Sequence, residues 1–345
     1  MWFEKLMGFK ERSPDYVRRN IEVNGTQLKS KVNGKSYEFG FLDTPSLAEL
    51  RKRAPAFENY SGEIKISEVV GDVQKMHLDP ANKNSLFQAA SQFNLLEMVG
   101  PHVTPEEGVG IYAFDRTQGP ACAIACGAGT IYRNYLAEVN GKTGQSARNQ
   151  IDCSEGIGKA LGNEKQDLWV MRNGYALASV DGLLNINKQL AELSPEERED
   201  LKSKLKIGIQ WNTEVTLSGD GQLVSQAYCS ALPVRYSQIE SHYWEPFARL
   251  VLEALYEATF YAALINLEKT GSNKVFLTLV GGGAFGNEFH WILESIEKAI
   301  KQFKEVALDV WMVSYGRKDS RISGCLLYTS PSPRDATLSR MPSSA

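Results

Sequence analysis

Apolar and polar positions segregate most sharply between Lys274 and Gly316. Val275 to Val280 is a short, β-branched apolar run, the composition of a buried strand. It leads into Gly281, Gly282 and Gly283, then Ala284, Phe285, Gly286 and Asn287. Beyond these, Ile292, Ile296, Ala299, Ile300 and Phe303 recur at helical spacing, with Glu294, Glu297, Lys298 and Lys301 between them. Asp309 to Tyr315 is a second buried strand. Strand, glycine loop, helix and strand together predict one βαβ unit.

The same pattern extends through the rest of the chain. Ile21 to Val23, Leu28 to Val32 and Tyr37 to Phe39 are separated by Asn24-Gly25 and Asn33-Gly34, which predicts a small β-meander. It is too small for its own core and is expected to pack on the larger domain C-terminal to it. Thr44-Pro45-Ser46 opens a short helix. Ile64 to Val70 is a strand that leaves through Gly71, Asp72 and Val73. Leu86 to Phe93 fits either period, and its position before Asn94 favours a strand. Gly100 to Thr117 has little periodicity but carries Tyr112 and Phe114, which predicts an ordered functional loop. Ala121 to Tyr135 reads as a helix of very small residues, suited either to a closely approaching ligand or to tight helix–sheet packing. A helix over Asp152 to Leu161, a strand over Trp169 to Ser179 and a charged helix over Leu183 to Leu205, restarting at Ser194-Pro195, come next. Strands over Ile207 to Thr216 and Val224 to Ala231 precede a largely buried helix over Trp244 to Leu267. No repeat or linker interrupts Glu63 to Gly316.

The predicted fold class is α/β: three layers, α/β/α, around a mixed and largely parallel sheet, with the N-terminal meander added. The predicted organisation is residues 1–62 as the meander packed on the main domain, and 63–324 as that domain with an inserted region at about 136–238. Residues 325–345 resemble the translation of a sequencing adapter and are set aside as an artefact. That stretch carries two Arg and one Asp, so the remainder is nearer −4 than the whole chain's −3.

Composition narrows the function classes. At 43% hydrophobic and 23% charged, the chain has the make-up of a globular protein with a sizeable core. Its slight negative charge offers no footprint for nucleic acid or an anionic membrane, so neither is an expected partner. No apolar run reads as long enough to span a bilayer, and the N-terminus lacks a secretory pattern. Cys122, Cys126, Cys153, Cys229 and Cys325 are scattered, and so are the four histidines. This argues against a disulfide framework and a zinc site, and for a reducing, cytoplasmic or nuclear setting. No metal and no cofactor are expected.

The chemistry is concentrated in the glycine loop. Four glycines among the six residues 281–286 let backbone N–H groups turn toward a ligand at a helix N-terminus, where unpaired donors favour an anion such as a diphosphate. Without a ligand the same residues make a tight strand-to-helix turn. Neither the dinucleotide GxGxxG spacing nor the Lys-Ser/Thr pair of a phosphate loop is present.

Two stretches resemble the macrodomain superfamily, the ADP-ribose-binding α/β/α fold. One is Glu68-Val-Val-Gly71-Asp72-Val73, with the following strand ending Ala89-Ala90-Ser91-Gln92-Phe93-Asn94. The other is Val280 to Asn287, followed by a helix and a strand ending Ser314-Tyr315-Gly316. The resemblance covers about a third of the chain. It implies that Asp72, with Val73, meets the adenine amino group, as an acceptor-only carboxylate can; as a plain turn residue, Asp72 would satisfy nearby backbone instead. It implies that Asn94 holds the distal ribose and that Gly281, Gly282, Gly283, Ala284, Phe285, Gly286 and Asn287 form the diphosphate loop. Tyr315 would stack on adenine, the alternative being a core aromatic. The family's first loop is glycine-rich after its asparagine, and here Gln118 and Gly119 stand nearest that place. Ser91 falls where a first asparagine would be.

For catalysis, Glu97, Glu106, Glu107 and Asp115 fall between Asn94 and Gly119. Glu97 is the first candidate because it lies nearest Asn94 in an apolar stretch, where a raised pKa is expected. The implied function is binding of ADP-ribose or a related nucleotide diphosphate, with an ADP-ribosylated protein as a further partner and hydrolysis of ADP-ribosyl linkages as the reaction. The alternative is a non-catalytic interaction protein that keeps the fold without the ligand. The geometric expectation is that Asp72, Asn94, Gly281 and Tyr315 meet at one crevice, with Gly100 to Thr117 as its lid.

Overall fold

The computed structural model describes residues 1–322, so the stretch from Cys325 onward lies outside the described residues. The apolar runs pair into one seven-stranded sheet. Its strands are β1 (Phe41–Asp43), β2 (Lys65–Val70), β3 (Leu86–Ala90), β4 (Gly208–Glu214), β5 (Leu223–Cys229), β6 (Lys274–Leu277) and β7 (Asp309–Ser314). Their spatial order is β1-β4-β5-β3-β6-β7-β2. From β5 to β2 every pairing is parallel, while β4 pairs antiparallel with both β1 and β5. Registers align the strand ends: Cys229 faces Ala90, Leu277 faces Met312 and Ser314 faces Val70. The segments leaving β3, β6, β7 and β2 therefore emerge side by side at one rim, where open α/β sheets bind ligands.

Helices cover both faces. On one side lie α1 (Leu47–Arg53), α5 (Val180–Glu192), α6 (Pro195–Ser203), α7 (Ser241–Thr270) and α8 (Phe289–Gln302). On the other lie α2 (Val73–Leu78), α3 (Gln118–Ala125) and α4 (Gly127–Tyr135). The starts of α1 and α6 follow from sequence, because Ser46 with Glu49 and Ser194 with Glu197 form complete capping boxes. α7 is apolar nearly all round and runs through the core. By length and composition it could cross a bilayer, which the run-length reading missed because Glu253 and Glu257 interrupt the apolar stretch. In the fold, 89% of its most apolar 18-residue window is buried. Glu253 meets Arg198 and Lys298, and Glu257 meets Arg51 and Lys202, so these ion pairs tie α1, α6 and α8 to α7.

The meander is present as Ile21–Asn24, Gln27–Ser30 and Ser36–Glu38. Two short helices precede it, Trp2–Met7 and Pro14–Arg19. Phe3, Phe9, Val17, Leu28 and Phe39 pack in a second hydrophobic cluster with Leu96, Met98, Val109, Tyr112 and Tyr135. Residues 1–62 thus brace the segment after β3, and β1 from this region joins the main sheet as an edge strand. Region 136–238 contributes β4 and β5.

Two local readings differ. The small-residue helix breaks at Cys126 (φ −113°, ψ 63°) into α3 and α4, where Gly127 N–H turns to Thr216 Oγ1 at 2.9 Å. The predicted strand over Trp169 to Ser179 is a hairpin, Trp169–Arg172 and Tyr175–Ala178, because Asn173 and Gly174 both adopt positive φ.

Candidate active-site cleft

At the rim where the parallel strands end, two chambers of about 960 and 360 Å³ share Thr117, Gln118, Thr278 and Leu279, forming one continuous cleft. The larger chamber is lined by Asp72 and Val73 beyond β2, by Tyr315 beyond β7, and by Arg116, Arg317, Lys318 and Arg321. Asp72 is the N-cap of α2. Its Oδ1 accepts from Gln74 N–H at 2.9 Å, which fixes the carboxylate at the chamber wall. Tyr315 is 86% exposed, which excludes the reading of it as a core aromatic. Its ring offers a free face to a planar base.

The glycine loop borders the smaller chamber, and its residues divide the work. Gly281 has φ +82°, and a Cβ there would lie 2.5 Å from Ala231 Cβ and 2.7 Å from Asn287 Nδ2, so this glycine is demanded by the fold. Asn287 is buried and donates to Leu232 O at 2.8 Å; it pins the loop and does not face the cleft. Gly282 and Gly286 also lie outside the lining, with Gly286 (φ +70°) against Arg235. Gly281, Gly283, Ala284 and Phe285 do line the smaller chamber. A Cβ on Gly283 would meet nothing within 4 Å. Among the described residues no acceptor meets the N–H of Gly283, Ala284 or Phe285. Across the cleft, Gln118 and Gly119 open α3, whose N-cap Thr117 makes no side-chain cap. Backbone donors of the loop and of the first turn of α3 therefore both border the smaller chamber, an arrangement suited to an anion.

The smaller chamber ends at Glu97. This side chain is 4% exposed, lines the chamber, and has no partner for Oε1 among the described residues. Burial pushes its carboxyl well above the ordinary carboxylate range. Ser91 and Arg133 oppose that rise, and the charge of Asp115 adds to it. Glu97 is held by its own N–H, which donates to Tyr112 Oη at 3.0 Å, and by Gly119, where a Cβ would lie 2.3 Å from Glu97 Oε2. Tyr175, Tyr236 and Phe285 form the opposite wall, with ring centroids 5.0, 5.3 and 5.5 Å apart in pairs. Tyr175 Oη donates to Met98 O at 2.7 Å.

The structure therefore brings together Asp72, Val73, Gln118, Gly119, Gly281, Gly283, Ala284, Phe285, Tyr315 and Glu97. It leaves Asn94 out. Asn94 is fully buried; Oδ1 accepts from Leu96 N–H at 3.1 Å and Nδ2 donates to Gln150 Oε1 at 2.8 Å, so the amide shapes the turn after β3. Gln118 lines both chambers, yet its amide is bound to strand β3, through Ala90 N–H and Gln88 O. The Gly100–Thr117 segment is not a lid. Glu11 of the N-terminal region accepts from Val109 and Gly110 N–H at 2.8 and 2.6 Å and fixes it in place. Tyr112 is buried beneath Glu97 and Phe114 points away, so only Asp115, Arg116 and Thr117 of this segment line the cleft. The sequence pattern does not single out Tyr175 or Tyr236. The Asn173-Gly174 turn signal marks the hairpin that carries Tyr175, and no local signal marks Tyr236.

No protein-family model matches the chain, and no curated protein matches it. Among solved structures, the chain is similar to poly(ADP-ribose) glycohydrolase from Thermomonospora curvata, at 10% identity and TM-score 0.43, over 92% of this chain and 96% of that one. The form of that enzyme bound to the inhibitor ADP-HPD gives TM-score 0.44 at the same identity and coverage. The Deinococcus radiodurans enzyme in complex with ADP-ribose gives 8% identity and TM-score 0.41 over 84% and 93%. At such identity and superposition the likeness says nothing about chemistry, which has to come from the cleft's own residues.

Proposed function

We propose that the cleft binds ADP-ribose or a closely related nucleoside-diphosphate sugar, in the manner of a divergent macrodomain, and hydrolyses the glycosidic bond to its distal ribose. One observation carries the reading: a single cleft joins a base-sized site at Asp72 and Tyr315, unpaired backbone donors at residues 283–285, and a buried acid at Glu97 with one oxygen unpartnered. These match, in order, an adenine, a diphosphate and a ribose whose anomeric bond must be protonated to leave. Asp72 accepts from the exocyclic amine and Tyr315 stacks on the ring. The loop amides and the first turn of α3 hold the phosphates. Phe285 and the two tyrosines pack against the distal sugar. Glu97, its carboxyl pushed well above the ordinary range by burial, supplies the proton to the departing oxygen.

The test is Glu97→Gln, which keeps shape and removes the transferable proton. ADP-ribose affinity by calorimetry should stay within about threefold, while release of ADP-ribose from ADP-ribosylated protein falls roughly 100- to 10,000-fold. Hydrolysis at the wild-type rate by the variant would remove Glu97 from the chemistry. A melting temperature of the wild type unmoved by ADP-ribose, ADP and AMP would remove the binding reading as well.

A further inference from the structure

A proton donor is only half of a hydrolysis, because the attacking water must also lose a proton. Among the described residues, two carboxylates line the smaller chamber, Glu97 and Asp115. The other acids of that segment turn away: Glu106 accepts from Ala147 N–H on the exposed side, and Glu107 is exposed. Asp115 is anchored twice, its own N–H donating to Tyr112 O at 3.2 Å and its Oδ1 accepting from Thr117 N–H at 2.9 Å. No hydrogen bond or ion pair among the described residues reaches Oδ2. The charge of Asp115 acts on Glu97 and on Tyr175, both of which line the same chamber. One carboxyl is thus withdrawn from solvent with an unpartnered oxygen, and the second is only partly buried with one oxygen free. That asymmetry separates an acid from a base.

We propose that Asp115 is the proton acceptor for the attacking water and the catalytic partner of Glu97. The inference rests on the reading of the cleft as an ADP-ribosyl hydrolase. In the step, the bond between the distal ribose anomeric carbon and the departing oxygen breaks with its electron pair on that oxygen, which takes the Glu97 proton. The water oxygen bonds to the anomeric carbon and its proton passes to Asp115. Asp115 then returns a proton to solvent and Glu97 regains one, so the turnover consumes one water and nothing else. The short link between the two residues is structural as well: Tyr112 receives Glu97 N–H through its hydroxyl and Asp115 N–H through its carbonyl. One tyrosine therefore sets the position of both acids.

Asp115→Asn retains an Oδ1 acceptor for Thr117 N–H and removes only the basicity. Its ADP-ribose affinity should remain within about threefold of wild type, while turnover of ADP-ribosylated protein falls roughly 100- to 10,000-fold. In Asp115→Ala, added sodium azide should restore release by taking the place of water, with ADP-ribosyl azide as the product. In Glu97→Gln it should not. Turnover of Asp115→Asn within tenfold of wild type, an affinity loss as large as the turnover loss, or no azide product would each overturn the proposal. A wild type that binds ADP-ribose but hydrolyses nothing would overturn it too and leave the binding reading standing. A wild type that does not bind ADP-ribose would fail the underlying site.

Discussion

His77 shows how fully single residues beneath the cleft are committed. It lies at 0% exposure on α2, with its ring 3.8 Å from that of Phe87. Nδ1–H donates to Val73 O at 2.7 Å, so Nε2 is left to accept from Gln226 Nε2 at 3.0 Å. Burial pulls its pKa from 6.5 to about 4, against smaller upward pushes from the Val73 carbonyl and Asp72. Below pH 6.5 the unfolded chain takes up a proton that the native chain refuses until about pH 4. Stability is therefore lost as pH falls through that window, by about 3 kcal/mol in full. His77→Gln should abolish this share. Urea midpoints at pH 7.5 and 4.5 should show the wild type losing its advantage over the variant, and an advantage unchanged between the two would contradict the assignment. Tyr315 is the opposite kind of residue, since nothing in the fold depends on it. Tyr315→Ala should leave stability unchanged and weaken ADP-ribose binding by about 1–3 kcal/mol, the range for a base stacked on an aromatic ring. Its place at a strand end was legible in the sequence, but its exposure was not. Asn94 misleads for a related reason: an asparagine just beyond a strand can point to a ligand or close its own turn, and only the neighbours Leu96, Gln150 and Gly174 decide between them.

Among elements, the glycine loop separates fold from function within three residues. Gly281→Ala forces a side chain into a positive-φ position against Ala231 and should cost about 1–3 kcal/mol of stability. At Gly283 a Cβ meets no atom within 4 Å, so Gly283→Glu should leave the melting temperature near wild type, while its bulk and charge reduce ADP-ribose affinity by roughly 100-fold or more. Equal destabilisation by the two substitutions, or unchanged affinity in Gly283→Glu, would mean the loop faces no phosphate. The segment between β3 and α3 behaves differently. Its lack of periodicity marked it as irregular, but not as clamped. The clamp comes from Glu11, nearly a hundred residues earlier in the chain, which also accepts from Tyr135 Oη at 2.7 Å. Glu11→Ala strips three donors of their acceptor and should destabilise the protein by about 1–3 kcal/mol, read from urea unfolding. An effect below a few tenths would show that the brace is not needed. Asn173-Gly174 carries a hairpin signal that a strand reading over Trp169 to Ser179 passes over. At the helix break after Cys126, Gly127 packs so closely that a Cβ would lie within 3.0 Å of Trp2, Leu6 and Thr216.

For the whole molecule, the parallel arrangement was legible because buried parallel strands read as continuous apolar runs that end in turn residues. It brings Asp72, Gly283 and Tyr315 to one rim, since parallel strands release their C-terminal segments on one side. The far wall was not legible. Tyr175 and Tyr236 come from the region between α4 and α7, and contacts over that separation leave no periodic trace. The N-terminal brace was hidden by the same distance. What the assembled molecule presents is one cleft with an Asp72–Tyr315 end, a wall of loop amides at residues 283–285 and a Glu97 end, and the central proposal is that a single ADP-ribose occupies all three. Calorimetry of the intact chain with ADP-ribose, ADP and AMP tests it most directly. One site should bind ADP-ribose, with affinity falling in steps to ADP and to AMP as the Glu97 end and then the wall of loop amides lose their contacts. No heat from ADP-ribose at millimolar concentration, or equal affinity for all three, would contradict it.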